Sequence, residues 1–179
     1  MKKKIIAVAM IIVCARFSLF AEGTKISIAG VWHADTVKVG GGFEIGFPIV
    51  EKNLIVRDYI TINGYGGTVN ALSFGECSIA NKFQLGGRVN LGTYDIVSYG
   101  LVNLEFGLYG ASGKKFFAAP FILDIGGGGG FELRYQITEK IMQSFFVEFG
   151  GGGMFKLSKT SSGVLQGYAS LAIGYRTYF

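Results

Sequence analysis

The sequence predicts an all-β fold, an eight-stranded antiparallel up-and-down transmembrane β-barrel. Eight segments of about ten residues, long enough to cross a bilayer as tilted strands, alternate between apolar and small or polar side chains. Glycine occupies 29 of the 179 positions, often inside these segments, and the last segment runs to the final residue, Phe179. Alternation with a period of two indicates strands with two chemically different faces.

The chain begins with a predicted signal peptide, residues 1–21. Lys2–Lys4 are basic, Ile5–Ala15 form an apolar run, and Leu19–Ala21 precede the expected cleavage site. The apolar run is too short for a membrane-spanning helix, which needs about 20 residues. Without the four basic residues of this leader, 13 Lys and Arg stand against 12 acidic residues. The remaining domain, residues 22–179, is therefore nearly neutral, which argues against nucleic acid as a partner.

The predicted strands follow one another with little between them. In order, they are Lys25–His33, Lys38–Phe47, Leu54–Asn63, Lys82–Leu91, Ser98–Tyr109, Pro120–Gln136, Ile141–Lys156 and Val164–Phe179. The third is irregular because Asp58 falls on its apolar face, which a β-bulge or a position near the bilayer edge would explain. Eight is an even number and the smallest number of strands in closed membrane barrels.

The connections alternate between the two ends of the barrel. Short turns, expected on the periplasmic side with both termini, are Pro48–Asn53, Gly92–Ile96 and Thr138–Lys140. Outer loops are expected at Ala34–Val37, Gly64–Asn81, Gly110–Ala119 and Ser158–Gly163. Only Gly64–Asn81 is long, so it is the expected main surface loop. It contains Cys77, the one cysteine outside the leader, which excludes an internal disulfide.

Volume decides which face of the wall points outward. The apolar faces carry roughly three dozen large side chains, whereas the lumen of an eight-stranded barrel holds about one layer of side chains or one small ligand. The apolar face must therefore point outward, into lipid. Aromatic residues near strand ends fit an interfacial girdle: Trp32, Phe47, Tyr135, Tyr175 and Phe179.

The inward face carries charges of both signs. The predicted lumen charge network comprises Glu44, Arg57, Lys82, Arg88, Glu105, Asp124, Glu132, Arg134, Glu148 and Arg176. A narrow lumen does not hydrate this many charges freely, so we expect them to pair across it. The expected interior is a mostly filled polar one without steady ion current. The alternative is a narrow pore for small or hydrophobic solutes, which the small inward glycines would permit.

Counting residues from the turns predicts particular partners. If Phe47 pairs with Leu54 across the second turn, Glu44 lies directly opposite Arg57. The same counting places Glu105 beside Asp124, with Lys82 on the neighbouring strand, and Arg176 diagonal to Glu148. Around Thr138–Lys140 it pairs two glycine tracts, with Gly126 opposite Gly152, Gly128 opposite Gly150 and Gly129 covered by Phe149.

No motif predicts a cofactor, a metal site or an enzyme. Gly126–Gly130 fits a dinucleotide pattern, but it lies inside a strand rather than before a helix. His33 and Asp35 are interpreted as an exposed pair at the rim, since no serine can be assigned beside them. No second His or Cys lies near Cys77 in sequence.

The residue pattern of the last predicted strand is similar to one found in a known protein family. Leu171, Ile173 and Tyr175 alternate towards a terminal Phe179, a pattern that resembles the closing strand of bacterial outer-membrane barrels. In that family, the terminal aromatic residue and the alternate apolar residues before it form the signal that the barrel-assembly machinery recognises. With its leader and eight strands, the chain resembles the OmpX, OmpW and OmpA-transmembrane-domain types of Gram-negative-type bacteria.

This resemblance implies an integral protein of the outer membrane, reached by secretion through the inner membrane. The expected partners are outer-membrane lipids and the assembly machinery, with surface ligands or small solutes as further candidates, and the expected state is a monomer. Known roles in the family range from structural stability and surface adhesion to passage of small hydrophobic molecules.

Overall fold

The structure is a computed structural model that describes residues 26–69, 72–111, 121–157 and 162–179. Residues 1–25, which include the predicted signal peptide, lie outside the described residues, so its boundary remains a prediction. Within the described part of the chain, no helix is long and apolar enough to cross a membrane.

Eight antiparallel strands form one closed barrel. Their bounds are β1 Ser27–Asp35, β2 Lys38–Glu51, β3 Leu54–Val69, β4 Leu72–Asn90, β5 Tyr94–Ala111, β6 Phe121–Gln136, β7 Met142–Leu157 and β8 Ser162–Tyr178. Each strand pairs with its neighbours in sequence, and β1 pairs with β8 to close the wall. The up-and-down order places Ser27, Tyr178 and three short turns at one end, which we call the terminal end; the opposite end is the loop end. The predicted fold class is confirmed.

Local polar contacts shape the turns. Between β4 and β5, Gly92 has a φ of 84°, a left-handed conformation that glycine adopts without strain. The side-chain oxygen of Asn90 accepts a hydrogen bond from the Gly92 amide at 3.0 Å. Between β1 and β2, the Asp35 carboxylate accepts hydrogen bonds from the amides of Val37 and Lys38 at 2.6 and 2.7 Å. These contacts replace the strand hydrogen bonds that a turn loses.

The outer surface of the wall is apolar. Large hydrophobic side chains are exposed on every strand, among them Ile28, Phe43, Ile62, Ile79, Phe83, Val102, Phe106, Phe131, Phe149 and Leu171. The alternate residues are buried and mostly polar or charged. A folded chain that exposes so much apolar surface all round its circumference is suited to lipid. The outward assignment of the apolar face therefore holds.

The predicted surface loop Gly64–Asn81 is wrong. Its residues continue β3 to Val69 and begin β4 at Leu72, leaving only residues 70–71 between the strands. Closely spaced glycines interrupt the alternation of large apolar residues, so the segment was interpreted as a loop, although Glu76 and Ser78 share the inward parity of Lys82 on β4. Cys77 consequently lies within β4, opposite Gly64, and its side chain is exposed on the outer face.

The predicted register between β2 and β3 is also wrong. Phe47 pairs with Asp58 rather than with Leu54, and Glu44 pairs with Thr61 rather than with Arg57. The reason is that β2 continues past Pro48 to Glu51, with an irregularity between Pro48 and Val50. A bulge accommodates proline, which has no amide hydrogen to donate.

Two sequence expectations for the wall hold. The glycine tracts of β6 and β7 lie side by side, with the predicted register: Gly126 with Gly152, Gly128 with Gly150 and Gly129 with Phe149. The acid Asp58 does face outward, and its carboxylate accepts a 2.6 Å hydrogen bond from the Asn81 side chain on β4. This partner, rather than a bulge, satisfies the acid on the apolar face.

Candidate functional site: the polar lumen

The structure brings nine of the ten predicted lumen charges into the interior. These nine are buried, with Arg57, Arg134 and Arg176 having no exposed surface. Arg88 is the exception. It lies near the terminal end, partly exposed, with its guanidinium 3.5 Å from the Asp95 carboxylate. The interior charges divide into two groups, one at the terminal end and middle of the lumen and the other towards the loop end.

The first group, which we call the plug, fills the lumen from the terminal end to its middle. It contains four acids and four bases among the described side chains, namely Glu44, Glu51, Glu132, Glu148, Arg57, Lys82, Arg134 and Arg176. Alternation along β2, β3, β4, β6, β7 and β8 directs these side chains inward. The equal number of opposite charges allows every member an ionic partner.

Near the terminal end, two arginines bind two glutamates. Arg57 donates at 2.6 Å to Glu132 and at 2.6 Å to Glu51. Arg134 donates at 2.8 Å to the other oxygen of Glu51. The Tyr178 hydroxyl donates a further hydrogen bond to Glu132. Charge-assisted bonds of this kind are the stronger hydrogen bonds of proteins, and here they join β2, β3, β6 and β8 across the lumen.

At the middle of the lumen, Lys82 joins two carboxylates. Its ammonium lies 2.6 Å from Glu44 and 2.7 Å from Glu148. Glu44 also accepts a hydrogen bond from Arg176. The Tyr99 hydroxyl donates to Glu148 at 3.0 Å. Glu44 is therefore shared by two cations on different strands.

Aromatic rings occupy the space between these charges. The Arg176 guanidinium lies 4.2 Å from the centre of the Phe146 ring and 4.4 Å from that of Tyr59. The Arg134 guanidinium lies 4.8 Å from the Tyr178 ring. The three rings are fully buried. Cation–π contacts add to the ion pairs, and the rings displace water that would otherwise separate them.

Several predicted partners differ from those observed. Glu44 binds Lys82 and Arg176 instead of Arg57. Arg176 lies opposite Ser144, four residues from the partner of Glu148, so these two are not diagonal neighbours. The predicted pairing of Glu105 with Asp124 on adjacent strands is confirmed. Lys82 lies on the neighbouring strand β4, as predicted, and its ammonium contacts Glu44 and Glu148. Contacts across a lumen depend on strand tilt, which residue counting from a turn does not include.

Towards the loop end, the second group contains more acid than base. The Lys38 ammonium donates to Glu76 at 3.0 Å and to Asp124 at 2.6 Å. Glu105 accepts hydrogen bonds from the Asn63 amide at 3.1 Å and from the hydroxyl of Ser78. All of these side chains are buried.

A cavity of about 80 Å³ lies beside this group. We call it the far-end cavity. Its lining includes His33, Thr61, Tyr65, Glu105, Asp124 and Tyr168, together with inward glycines of β6 and β7. The glycines leave room where other residues would place side chains, and a volume of this size holds several water molecules.

His33 and Asp35 are not an exposed rim pair, as the sequence suggested. Both are partly buried and line the far-end cavity, and Ser170 lies opposite Asp35 on β8 and lines the same cavity. The Asp35 carboxylate accepts hydrogen bonds from the backbone amides of Val37 and Lys38 at the β1–β2 turn. The His33 ring packs edge-on against Tyr65, with ring centres 5.9 Å apart. The serine was missed because the pairing of β8 with β1 is not visible in sequence.

Three charged residues of the lumen were missed in sequence. Lys38 shares the inward parity of Glu44 on β2, a signal that could have been used. Glu76 shares the parity of Lys82 on β4 but lies in the segment interpreted as a loop. Glu51 follows the irregularity after Pro48, which changes the alternation. Of the three, only Glu51 could not be recognised as an inward residue from the alternation along its strand.

The residues of the predicted assembly signal lie along the outer side of β8. Leu171, Tyr175 and Phe179 are exposed, and Ile173 is partly so. The hydroxyls of Tyr175 and Tyr135 on β6 are 2.5 Å apart near the terminal end. The amide of Phe179 donates to the Ile26 carbonyl at 2.9 Å. Their role in assembly remains a prediction.

No protein-family model and no curated protein matches the sequence. Solved structures do match. Neisserial surface protein A (NspA) aligns with a TM-score of 0.57 and 14% identity over 88% of this chain and 100% of its own. A major outer membrane protein from Thermus thermophilus aligns at 0.54 with 10% identity, over 88% and 100%. Ail, the attachment invasion locus protein of Yersinia pestis, aligns at 0.51 with 13% identity, over 87% and 97%.

These structures agree with the barrel described above. At identities of 14% or less, the similarity concerns the fold. Together with the closed eight-stranded sheet and its apolar exterior, it shows the fold of the small outer-membrane β-barrels, as the sequence resemblance implied.

Proposed function

We propose that this protein is an integral outer-membrane barrel with a structural or surface-exposed role and an interior closed to ions. The plug is the observation that carries this proposal. Its arginines are fully buried, each has at least one carboxylate partner, and buried aromatic rings fill the space around them. Such a network, joined across the strands that carry it, stiffens the wall and leaves little space for a continuous file of water.

Conductance in a planar bilayer tests the closed interior. Purified wild-type protein should give no steady ion current. Glu44→Ala removes the carboxylate shared by Lys82 and Arg176, leaving two buried cations near each other. Their repulsion should admit water, so the variant should show fluctuating currents or a lower urea midpoint of unfolding.

Asp95→Asn is the control, because Asp95 pairs with Arg88 outside the plug. Like the wild type, this variant should give no steady ion current. A large, stable current from the unmodified protein would instead exclude the closed interior and favour a channel.

A narrow pore for small or hydrophobic solutes is the second candidate. The far-end cavity favours it, because this cavity extends part of a solute path from the loop end into the lumen. The two candidates differ in what the plug does: a pore requires it to rearrange, whereas a structural barrel keeps it fixed. Uptake of uncharged solutes into protein-containing vesicles, compared with empty vesicles, separates them.

Location and partners follow from the leader, the closing strand and the apolar exterior. We infer secretion through the inner membrane, insertion by the barrel-assembly machinery and contact with outer-membrane lipids as a monomer. We assign no catalytic activity, cofactor or nucleic-acid partner. His33, Asp35 and Ser170 line one cavity, but the Asp35 carboxylate is engaged by the backbone of the β1–β2 turn. Surface ligands would meet the protein at the loop end.

A further inference from the structure

The two halves of the lumen differ in charge balance. Among the described side chains, the plug has equal numbers of acids and bases, so all its positive charge is matched. Around the far-end cavity, four carboxylates, those of Asp35, Glu76, Glu105 and Asp124, accompany one described basic side chain not engaged in the plug, Lys38. The loop-end half of the lumen therefore carries an excess of negative charge.

Unlike Glu76 and Asp124, Glu105 forms no direct ion pair with Lys38, whose single positive charge acts on all three carboxylates. It is 5% exposed and accepts hydrogen bonds from the neutral groups of Asn63 and Ser78. In the described part of the chain, no Lys or Arg forms an ion pair with it. Three buried carboxylates that share one ammonium are incompletely balanced, and a further cation placed beside Glu105 would stabilise the fold.

A second observation points to a ligand that donates hydrogen bonds. Thr61 is 1% exposed, lines the far-end cavity and has a hydroxyl without a hydrogen-bond partner. One carboxylate oxygen of Asp124 is likewise buried and without a partner. A hydroxyl oxygen and a carboxylate oxygen both accept hydrogen bonds from N–H groups. These two atoms and the excess carboxylates therefore suit the same kind of ligand, a cation that carries N–H donors.

The register places these groups in one row around the inner wall. Thr61 on β3 pairs with Ala80 on β4, which pairs with Glu105 on β5, which pairs with Asp124 on β6. Neighbouring strands are about 4.8 Å apart. The small side chain of Ala80 leaves a gap between Thr61 and Glu105, and this gap opens into the far-end cavity.

We propose that the far-end cavity binds a small primary ammonium ion. The carboxylates of Glu105 and Asp124 supply the negative charge, and the Thr61 hydroxyl accepts one N–H bond. Lys38 is an example of the same chemistry within this chain, since its ammonium lies between Glu76 and Asp124 and 4.3 Å from the centre of the Tyr65 ring. The ligand enters from the loop end, because the plug closes the other.

An ammonium suits this geometry better than a metal ion. Its three N–H donors can reach acceptors on different strands. In the residues that the structure describes, no three His, Cys, Asp or Glu side chains are grouped so that they could hold one metal ion. The proposal concerns ligand binding and does not depend on whether the barrel conducts.

Thermal unfolding and calorimetric titration in detergent micelles test the proposal. The whole mature chain is titrated with methylammonium chloride, and separately with sodium chloride and tetramethylammonium chloride, at constant ionic strength. Methylammonium should raise the unfolding temperature saturably. Sodium lacks N–H donors, and tetramethylammonium lacks them and is bulkier, so neither should do so.

Two variants locate the site. Glu105→Gln should lose the saturable effect of methylammonium while unfolding at a temperature no lower than the wild type without ligand, because the excess of buried negative charge is reduced. Thr61→Val, which keeps the shape of the side chain, should weaken binding about tenfold, the ratio expected for one hydrogen bond to a charged group. Asp95→Asn, away from the cavity, should bind as the wild type does.

Three results would overturn the proposal. Equal effects of sodium and methylammonium would show that any cation screens the acids. Full binding by Glu105→Gln would place the site elsewhere. The absence of a saturable effect with any cation would show that the carboxylates are neutralised without a bound ammonium.

Discussion

At the scale of single residues, the glycines of β6 and β7 determine how closely these strands approach. A Cβ atom on Gly128 would lie 2.1 Å from the Phe149 carbonyl oxygen, and one on Gly152 would lie 2.2 Å from that of Ile125. Real Cβ atoms do not approach backbone oxygens so closely. Glycine is therefore needed at these positions because the opposing backbone occupies the space of a side chain, not because of an unusual φ.

This close approach makes a prediction about alanine substitution. Gly128→Ala should destabilise the barrel by at least about 1–3 kcal/mol, the cost typical of overpacking, because backbone rather than a flexible side chain must move. The matched control is Gly30→Ala on β1, where an added Cβ meets no atom within 4 Å. Urea unfolding of the two refolded variants checks the difference. Equal midpoints would contradict the close approach of β6 and β7.

At the scale of elements, β8 closes the barrel by pairing with both β7 and β1. Its inner side carries Arg176 and Tyr178, both part of the contacts in the plug. Its outer side carries Tyr175 and, at its end, the terminal Phe179. The strand thus combines an inner face that stabilises the folded barrel with an outer face expected to be read during assembly.

Deletion of Phe179 separates these two roles. The exposed ring contributes little to packing, and the deletion removes one backbone hydrogen bond, that to Ile26. Refolding of the deleted form in detergent should therefore cost only about 1 kcal/mol. In cells, by contrast, its surface level should fall sharply, with protein retained in the periplasm and degraded.

Phe179→Tyr, which keeps a terminal aromatic ring, is the control and should assemble normally. Cell fractionation and surface proteolysis measure both variants. Normal surface levels of the deleted form would remove the assembly role assigned to this residue.

At the scale of the whole molecule, the barrel wall is uneven in height. The strands range from 9 residues in β1 to 19 in β4, so the β1–β2 turn lies lower than the continuing β3–β4 hairpin. The low turn lies beside the far-end cavity, which is lined by residues of β1 and the start of β2. Access to the lumen from the loop end is therefore expected over this turn.

The orientation of the barrel in the membrane predicts two labelling patterns. In a Cys77→Ser background, Thr36→Cys at the loop end should react with an impermeant thiol reagent on intact cells. Lys140→Cys in the turn at the terminal end should react only after the outer membrane is broken. Both native residues are exposed, so neither thiol is hidden by packing. The reverse pattern would place the termini outside the cell.

The sequence determined the strand number, the up-and-down order and the direction of each face. The alternation of side chains is a local property of each strand, and the total volume of the side chains is a sum over residues. Both can be read from the sequence without knowing which strands pair. The glycine pairing between β6 and β7 was also predictable, because a short turn fixes the register of the strands that it joins. Residue counting also placed Glu105 beside Asp124, although a longer connection joins β5 to β6.

Tertiary structure decided which charges meet. β2 continues past Pro48 to Glu51 and so pairs with β3 in another register than predicted, and Glu44 meets Lys82 and Arg176 rather than Arg57. Barrel closure and strand tilt bring residues of non-adjacent strands together across the lumen. The alternation of side chains along a strand does not predict these contacts. The division into a balanced plug and an acidic cavity is for this reason visible only in the folded barrel.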